Sequence, residues 1–145
     1  AEDGELCMHG DSIMLGYYKD PEATAEVIDA DGWFHTGDLA RKDEDGYYFL
    51  TGRKKNLIIL DSGENISPEE LEGIVGKCEA VKECVVKEMG KKIGVVVYCD
   101  EDKQQQVRDF ITEANRTLPL YKRMSAVEFS TEPLPRNGAG KLLRQ

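Results

Sequence analysis

An α+β fold is what the sequence predicts, with a small mixed domain of about 90 residues in its second part. Three observations lead there. Charge is divided unevenly: residues 1–52 hold 13 acidic and 3 basic side chains, a net of −10, while residues 53–145 hold 15 and 16, a net of +1. The change falls within Gly52-Arg53-Lys54-Lys55. The local pattern changes there too, from strands punctuated by Gly turns to strands alternating with helices. A boundary is therefore placed between 1–52 and 53–145.

Before the boundary, Glu5-Leu6-Cys7-Met8 and Tyr47-Tyr48-Phe49-Leu50 carry the side chains that suit a pleated surface. Asp29-Ala30-Asp31-Gly32 and Asp43-Glu44-Asp45-Gly46 are turns ending in glycine. A short helix starts at Pro21, with Asp20 as its cap and proline at the first helical position. After the boundary, Asn56 to Leu60 reads as an apolar strand and Asp61-Ser62-Gly63-Glu64 as a turn. Ser67-Pro68-Glu69-Glu70 is a helix start, with Ser67 and Glu70 as a capping box. Leu71, Ile74 and Val75 then line one helical face. Val81–Glu88 and Lys92–Cys99 form a hairpin around Gly90. Lys103–Leu118 is an amphipathic helix, with Val107, Phe110, Ile111, Ala114 and Leu118 on one side. The end of the chain, with Pro133, Pro135, Gly138 and Gly140, reads as loop.

Composition excludes several classes. With 40% hydrophobic and 32% charged residues, the chain can bury a core and is not intrinsically disordered. No apolar run approaches the roughly 20 residues of a membrane-spanning helix. Ala1-Glu2-Asp3-Gly4-Glu5 is acidic and lacks the apolar stretch of a signal peptide. A net charge of −9 suits phosphate-backbone binding poorly. Cys7, Cys78, Cys84 and Cys99 show neither C-x-x-C spacing nor a metal-ligand pattern with His9 or His35. They read as reduced, partly buried thiols of a cytoplasmic protein with no metal centre. Trp33 and the tyrosines read as core.

Three segments carry more polar and glycine residues than a fold requires. In Thr36-Gly37-Asp38-Leu39, a carboxylate beside a glycine can accept from both hydroxyls of a ribose, or can simply cap a turn. In Gly52-Arg53-Lys54-Lys55, the planar fork of Arg53 suits phosphate or ribose oxygens, and a solvated basic strand edge explains it equally well. Arg136-Asn137-Gly138-Ala139-Gly140-Lys141 is not a Walker-type phosphate loop, because Pro135 and Leu142 stand where Gly and Ser/Thr are needed. It leaves Lys141 on a flexible glycine-rich segment. That lysine can place a point charge on a phosphate or carboxylate, or be an ordinary residue of a tail.

Taken in order, five stretches resemble the C-terminal part of adenylate-forming (AMP-binding) enzymes, which include acyl-CoA synthetases and peptide-synthetase adenylation domains. They are Gly4-Glu5-Leu6 with Gly10 and Leu15-Gly16-Tyr17-Tyr18; Trp33 to Leu39; Asp45-Gly46-Tyr47 with Gly52-Arg53; Ser62 to Glu72; and Leu134 to Arg144. The wording of Gly52–Ile58 and Asn65–Glu70 is most similar to long-chain fatty-acid–CoA ligases. Two departures stand out. The loop Leu60-Asp61-Ser62-Gly63 is one residue longer than in many short-chain synthetases, and Asn137-Gly138 replaces the common Thr-x or Ser-x.

The resemblance implies ATP, Mg2+ and coenzyme A as co-substrates and metal. A carboxylic acid is joined to AMP, then passed to the thiol. It implies that Asp38 holds the ribose diol, that Arg53 supports the ribose with Thr36 beside it, and that Lys141 is the catalytic lysine. Lys55 matches a hinge, and Ser62, Gly63 and Glu64 match a loop near the thiol tunnel. Residues 1–52 are then the β-rich edge of a larger N-terminal adenylation domain. Residues 53–145 are a mobile C-terminal domain that docks on it. The phosphate loop, the Mg2+ ligands and most of the acyl pocket lie outside residues 1–145, so the fragment alone is expected to be inactive. Two alternatives stand beside this: an acyl-acyl-carrier-protein ligase, and a non-catalytic binding module of the same fold. The start at Ala1, inside a motif-rich strand pair, argues against the module.

Overall fold

The chain divides into two compact units, Ala1–Lys55 and Asn56–Gln145. Their structure is a computed structural model describing residues 1–144; Gln145, the last residue of the expected 53–145 domain, lies outside the described residues.

The first unit is a three-stranded antiparallel sheet with one short helix. Strands β1 (Glu5–Met8), β2 (Phe34–Lys42) and β3 (Tyr48–Arg53) lie in the order β1-β2-β3. Helix α1 (Pro21–Val27) begins as the sequence predicts, with Asp20 Oδ1 accepting from the Ala23 N–H at 2.9 Å. Thr36–Leu39 lies within β2, where it pairs with both neighbours, so Asp38 does not cap a turn. Cys7 faces His35, and Asp38 faces Arg53.

The aromatics of this unit do not form a core. Trp33 is 45% exposed and Tyr48 61%. A single sheet with one seven-residue helix has no second layer of its own to bury them. Its one buried side chain is the carboxylate of Glu5.

The second unit holds the apolar core. Strands β4 (Ile58–Ile59) and β5 (Asn65–Ile66) form a small antiparallel pair, much shorter than the expected Asn56–Leu60 strand. Lys54–Asn56 turns as a 3₁₀ segment and takes up the start of that run. Helix α2 (Pro68–Val75) follows, with Leu71 and Val75 fully buried. Its expected capping box is absent. Ser67 gives no side-chain cap, its hydroxyl donates to Glu69, and Glu70 pairs with Lys122 at 2.8 Å.

Strands β6 (Glu83–Met89) and β7 (Lys92–Tyr98) form the predicted hairpin. Gly90 (φ 56°) and Lys91 (φ 66°) both adopt left-handed backbone, the geometry of a two-residue turn that matches strand twist. Helix α3 (Gln104–Thr117) buries Val107 and Ile111. It crosses over to β8 (Met124–Ser130), which runs parallel to β7 and completes the order β6-β7-β8. Sequence reading left β8 unassigned. Val86, Val95, Val97, Met124 and the two helices close the core, so the α+β expectation holds for this unit.

Candidate nucleotide-site residues and their supports

Strand pairing gathers three of the expected site residues. Asp38 and Arg53 are cross-strand partners on β2 and β3, and Arg53 Nε lies 2.8 Å from Asp38 Oδ1. Arg53 Nη1 also donates to the Thr36 carbonyl at 3.3 Å. Thr36 is tied down in turn: its hydroxyl donates to the Leu6 carbonyl at 2.7 Å and accepts from the Asp38 N–H at 3.1 Å. Gly37 has φ +71°, and a Cβ there would stand 3.6 Å from Arg53 Nη1. The glycine is needed for its backbone angle. Its N–H turns inward, to Glu5 Oε1 at 2.9 Å, rather than toward a ligand.

Beneath this cluster is Glu5, to which sequence reasoning assigned no role. Its Oε2 lies 3.0 Å from His35 Nδ1 and 3.0 Å from Lys54 Nζ. Lys54 also reaches Asp3 at 2.6 Å, and His35 Nε2 reaches Asp29 at 3.3 Å. Burial pushes the Glu5 carboxyl up, but bonds from His35, Lys54 and the Gly37 N–H outweigh it and hold the group below its ordinary range. The same contacts act in reverse on the cations. Glu5 and then Asp29 raise His35, while Asp3 and Glu5 raise Lys54 to about 12.

Pairing of β1 with β2 places Cys7 Sγ 3.6 Å from His35 Nδ1, a proximity that spacing along the chain does not show. Glu5, Cys7 and His35 thus bring three potential ligand atoms within 4.8 Å of one another. The Glu5 carboxylate of this trio also faces the Lys54 ammonium at 3.0 Å. All four cysteines are free, and Cys78 and Cys99 are buried.

The other expected site residues are not joined to this cluster. Lys55 is exposed on the 3₁₀ segment. Ser62, Gly63 and Glu64 form the tight turn between β4 and β5, where Gly63 has φ +93°, its N–H bonds the Leu60 carbonyl at 2.8 Å, and Ser62 donates to Glu64. Lys141 is exposed on a second turn of the same unit. That turn is hydrogen-bonded, not a loose tail. Asn137 Oδ1 accepts the N–H groups of Ala139 and Lys141, each at 3.0 Å, and Arg136 bridges the Gly140 carbonyl (2.7 Å) to Glu83 (2.6 Å). Just beyond, Arg144 binds Glu72 and Glu69 of α2. Its signal in the sequence was membership of the terminal motif alone.

Comparison with known proteins matches this arrangement. Residues 55–145 fit the family model described as AMP-binding enzyme C-terminal domain. A long-chain-fatty-acid–CoA ligase of Salmonella typhimurium is 41% identical over 99% of this chain, and a probable 4-coumarate–CoA ligase of Dictyostelium discoideum is 37% identical over 99%. The chain spans about a quarter of the length of these relatives, 26% and 27%. Among solved structures, the A domain of carboxylic acid reductase from Segniliparus rugosus, in complex with AMP and a co-purified carboxylic acid, overlays 97% of this chain and 25% of its own. The TM-score is 0.80 at 29% identity. The family match covers more than half of the residues, and it coincides with the unit that holds the core and the Lys141 turn. This chain belongs to the AMP-binding enzyme C-terminal domain family.

Proposed function

We propose that the chain is the C-terminal part of an AMP-forming acid–thiol ligase that activates a fatty acid and transfers it to coenzyme A in the cytoplasm. The observation that carries this reading is Asp38, held by Arg53 on a strand pair whose sequence and fold match adenylate-forming relatives. A carboxylate offers about four lone-pair sites, so one ion pair to Arg53 leaves room for two ribose hydroxyls. Arg53 orients the carboxylate and adds positive charge near the ribose.

In the first step a carboxylate oxygen bonds the α-phosphorus of ATP and pyrophosphate leaves. In the second a thiolate sulfur bonds the acyl carbon and AMP leaves. Mg2+, when bound with ATP, would neutralise charge on its phosphates, and no residue of this chain is assigned to hold it. Lys141, presented on its turn, neutralises charge between the incoming carboxylate and the α-phosphate. Lys55 is the hinge about which the C-terminal domain reorients on the larger N-terminal domain between steps, and the Ser62–Glu64 turn borders the thiol path.

The test is the pair of half-reactions in the full-length protein. Lys141→Ala is expected to lower ATP–pyrophosphate exchange with saturated fatty acids roughly 10²–10³-fold, the scale for one electrostatic donor. Thioester formation from a supplied acyl-adenylate should be spared. Equal loss in both half-reactions would remove Lys141 from this role. No fatty-acid-dependent exchange in the unmodified protein would remove the substrate assignment.

A further inference from the structure

We propose that Glu5 is a positioning residue with a separate task on each carboxylate oxygen: Oε1 sets the nucleotide-binding strand, and Oε2 anchors the chain just before Lys55. The proposal rests on the functional reading above for its nucleotide half, and stands on geometry alone for its anchoring half.

Oε1 accepts the Gly37 N–H at 2.9 Å. Gly37 lies between Thr36 and Asp38 at φ +71°, and a glycine backbone is free to leave that angle unless a fixed partner holds it. Removing that acceptor frees the backbone that aims Asp38 at Arg53. Oε2 faces two cations, His35 Nδ1 and Lys54 Nζ, both at 3.0 Å. Lys54 is the residue immediately before Lys55, and its second partner, Asp3, lies at 2.6 Å. Lys54 is thus held from two sides in the first unit. Past Lys55, Asn56 Nδ2 donates to Glu69 Oε1 at 2.6 Å in the second unit. Lys55 itself makes no side-chain hydrogen bond or ion pair among the described residues. Lys55 thus sits in the 3₁₀ turn between two residues whose side chains are tied down while its own is not, which makes it the expected place for backbone rotation.

A buried carboxylate is expensive to keep ionised unless it is fully paired, and Glu5 is only 6% exposed. A purely structural role would be served equally by both oxygens. The split partition of its partners predicts something sharper, which Glu5→Gln can separate. A glutamine keeps one carbonyl oxygen for the Gly37 N–H but presents an NH2 where Lys54 and His35 need an acceptor.

The experiment uses the full-length protein and three variants: Glu5→Gln, Glu5→Ala and Lys54→Met. AMP binding is measured by calorimetry, and hydrogen exchange is followed at amides 53–56 without nucleotide. Glu5→Ala should weaken AMP at least about tenfold, the scale of a lost hydrogen bond to a charged group, while Glu5→Gln should weaken it no more than about threefold. Both Glu5→Gln and Lys54→Met should accelerate exchange at 53–56, and Lys54→Met should leave AMP affinity within about twofold. Equal AMP loss in Glu5→Gln and Glu5→Ala overturns the division of labour. Unchanged exchange at 53–56 in both Glu5→Gln and Lys54→Met overturns the anchor. Failure of the unmodified protein to bind AMP refutes the nucleotide half together with the functional reading, and the exchange measurement still decides the anchor independently.

Discussion

His35 has an acceptor at each ring nitrogen, Glu5 Oε2 at Nδ1 and Asp29 Oδ2 at Nε2, so the doubly protonated imidazolium is the form that satisfies both bonds. Its pKa is raised above the ordinary 6.5, by Glu5 first and Asp29 second. Glu5 and Asp29 are both held below their ordinary values, so they stay ionised where His35 titrates. A raised folded-state pKa gives stabilisation that is complete below pH 6.5 and is lost as pH rises through the folded value. The first unit should therefore lose protection as pH rises above 6.5 and through the raised folded-state value, and His35→Gln should flatten that change. The check is the His35 ring-proton titration by NMR, followed by thermal melts across the same range. A midpoint at or below 6.5 would remove His35 from the network.

Helix α2 shows how one element serves two ends of the chain. Its inner face carries Leu71 and Val75 into the core, both with no exposed surface. Beside that face are the half-buried Glu69 and Glu72, which take Arg144, while Glu72 Oε1 also accepts the Val86 N–H of β6 at 2.8 Å. Burial and proximity to Glu72 lift the Cys84 thiol to about 11, so this cysteine stays protonated near neutral pH. Leu71→Ala should cost about 2–5 kcal/mol, the range for emptying a fully packed leucine site. Ile59→Ala, at a position 67% exposed on β4, should cost within about 0.5 kcal/mol. Urea melts of both variants decide the matter, and a Leu71→Ala loss no larger than that of Ile59→Ala would show that α2 is not packed as described.

At the scale of the whole molecule, stability is concentrated in one unit. Every buried apolar side chain among the described residues lies between Ile58 and Leu134, whereas the first unit exposes Leu15, Tyr18, Tyr48 and Leu50. Relatives four times as long carry this stretch within a larger chain, and these exposed apolar side chains fit that setting. We expect residues 56–145, produced alone, to unfold cooperatively, since they own two amphipathic helices on a three-stranded sheet. In the 145-residue chain, hydrogen exchange should show protection concentrated after residue 56. Protection across 1–55 equal to that of β6 and β7 would show that the first unit is stable by itself. No helix among the described residues is long and apolar enough to cross a membrane.

What the sequence determined by itself is the set of features written in neighbouring residues. Asp20 caps α1 from three positions away, Gly90 marks the turn of the β6–β7 hairpin, and the 3.6-residue period of Val107 and Ile111 marks the buried side of α3. The ordered motifs are legible for the same reason, and they carry the resemblance to the family without any knowledge of the fold. Tertiary structure alone decided the rest. Glu5 meets Gly37 across 32 residues and Lys54 across 49, Cys7 meets His35 across 28, and Arg144 meets Glu72 across 72. Strand β8 takes its place only because α3 carries the chain back beside β7. Such contacts depend on which strands pair and in what register, and a one-residue slip would turn each side chain to the opposite face. Local composition holds no record of that choice, because burial of the shared core, not the propensity of any segment, selects it.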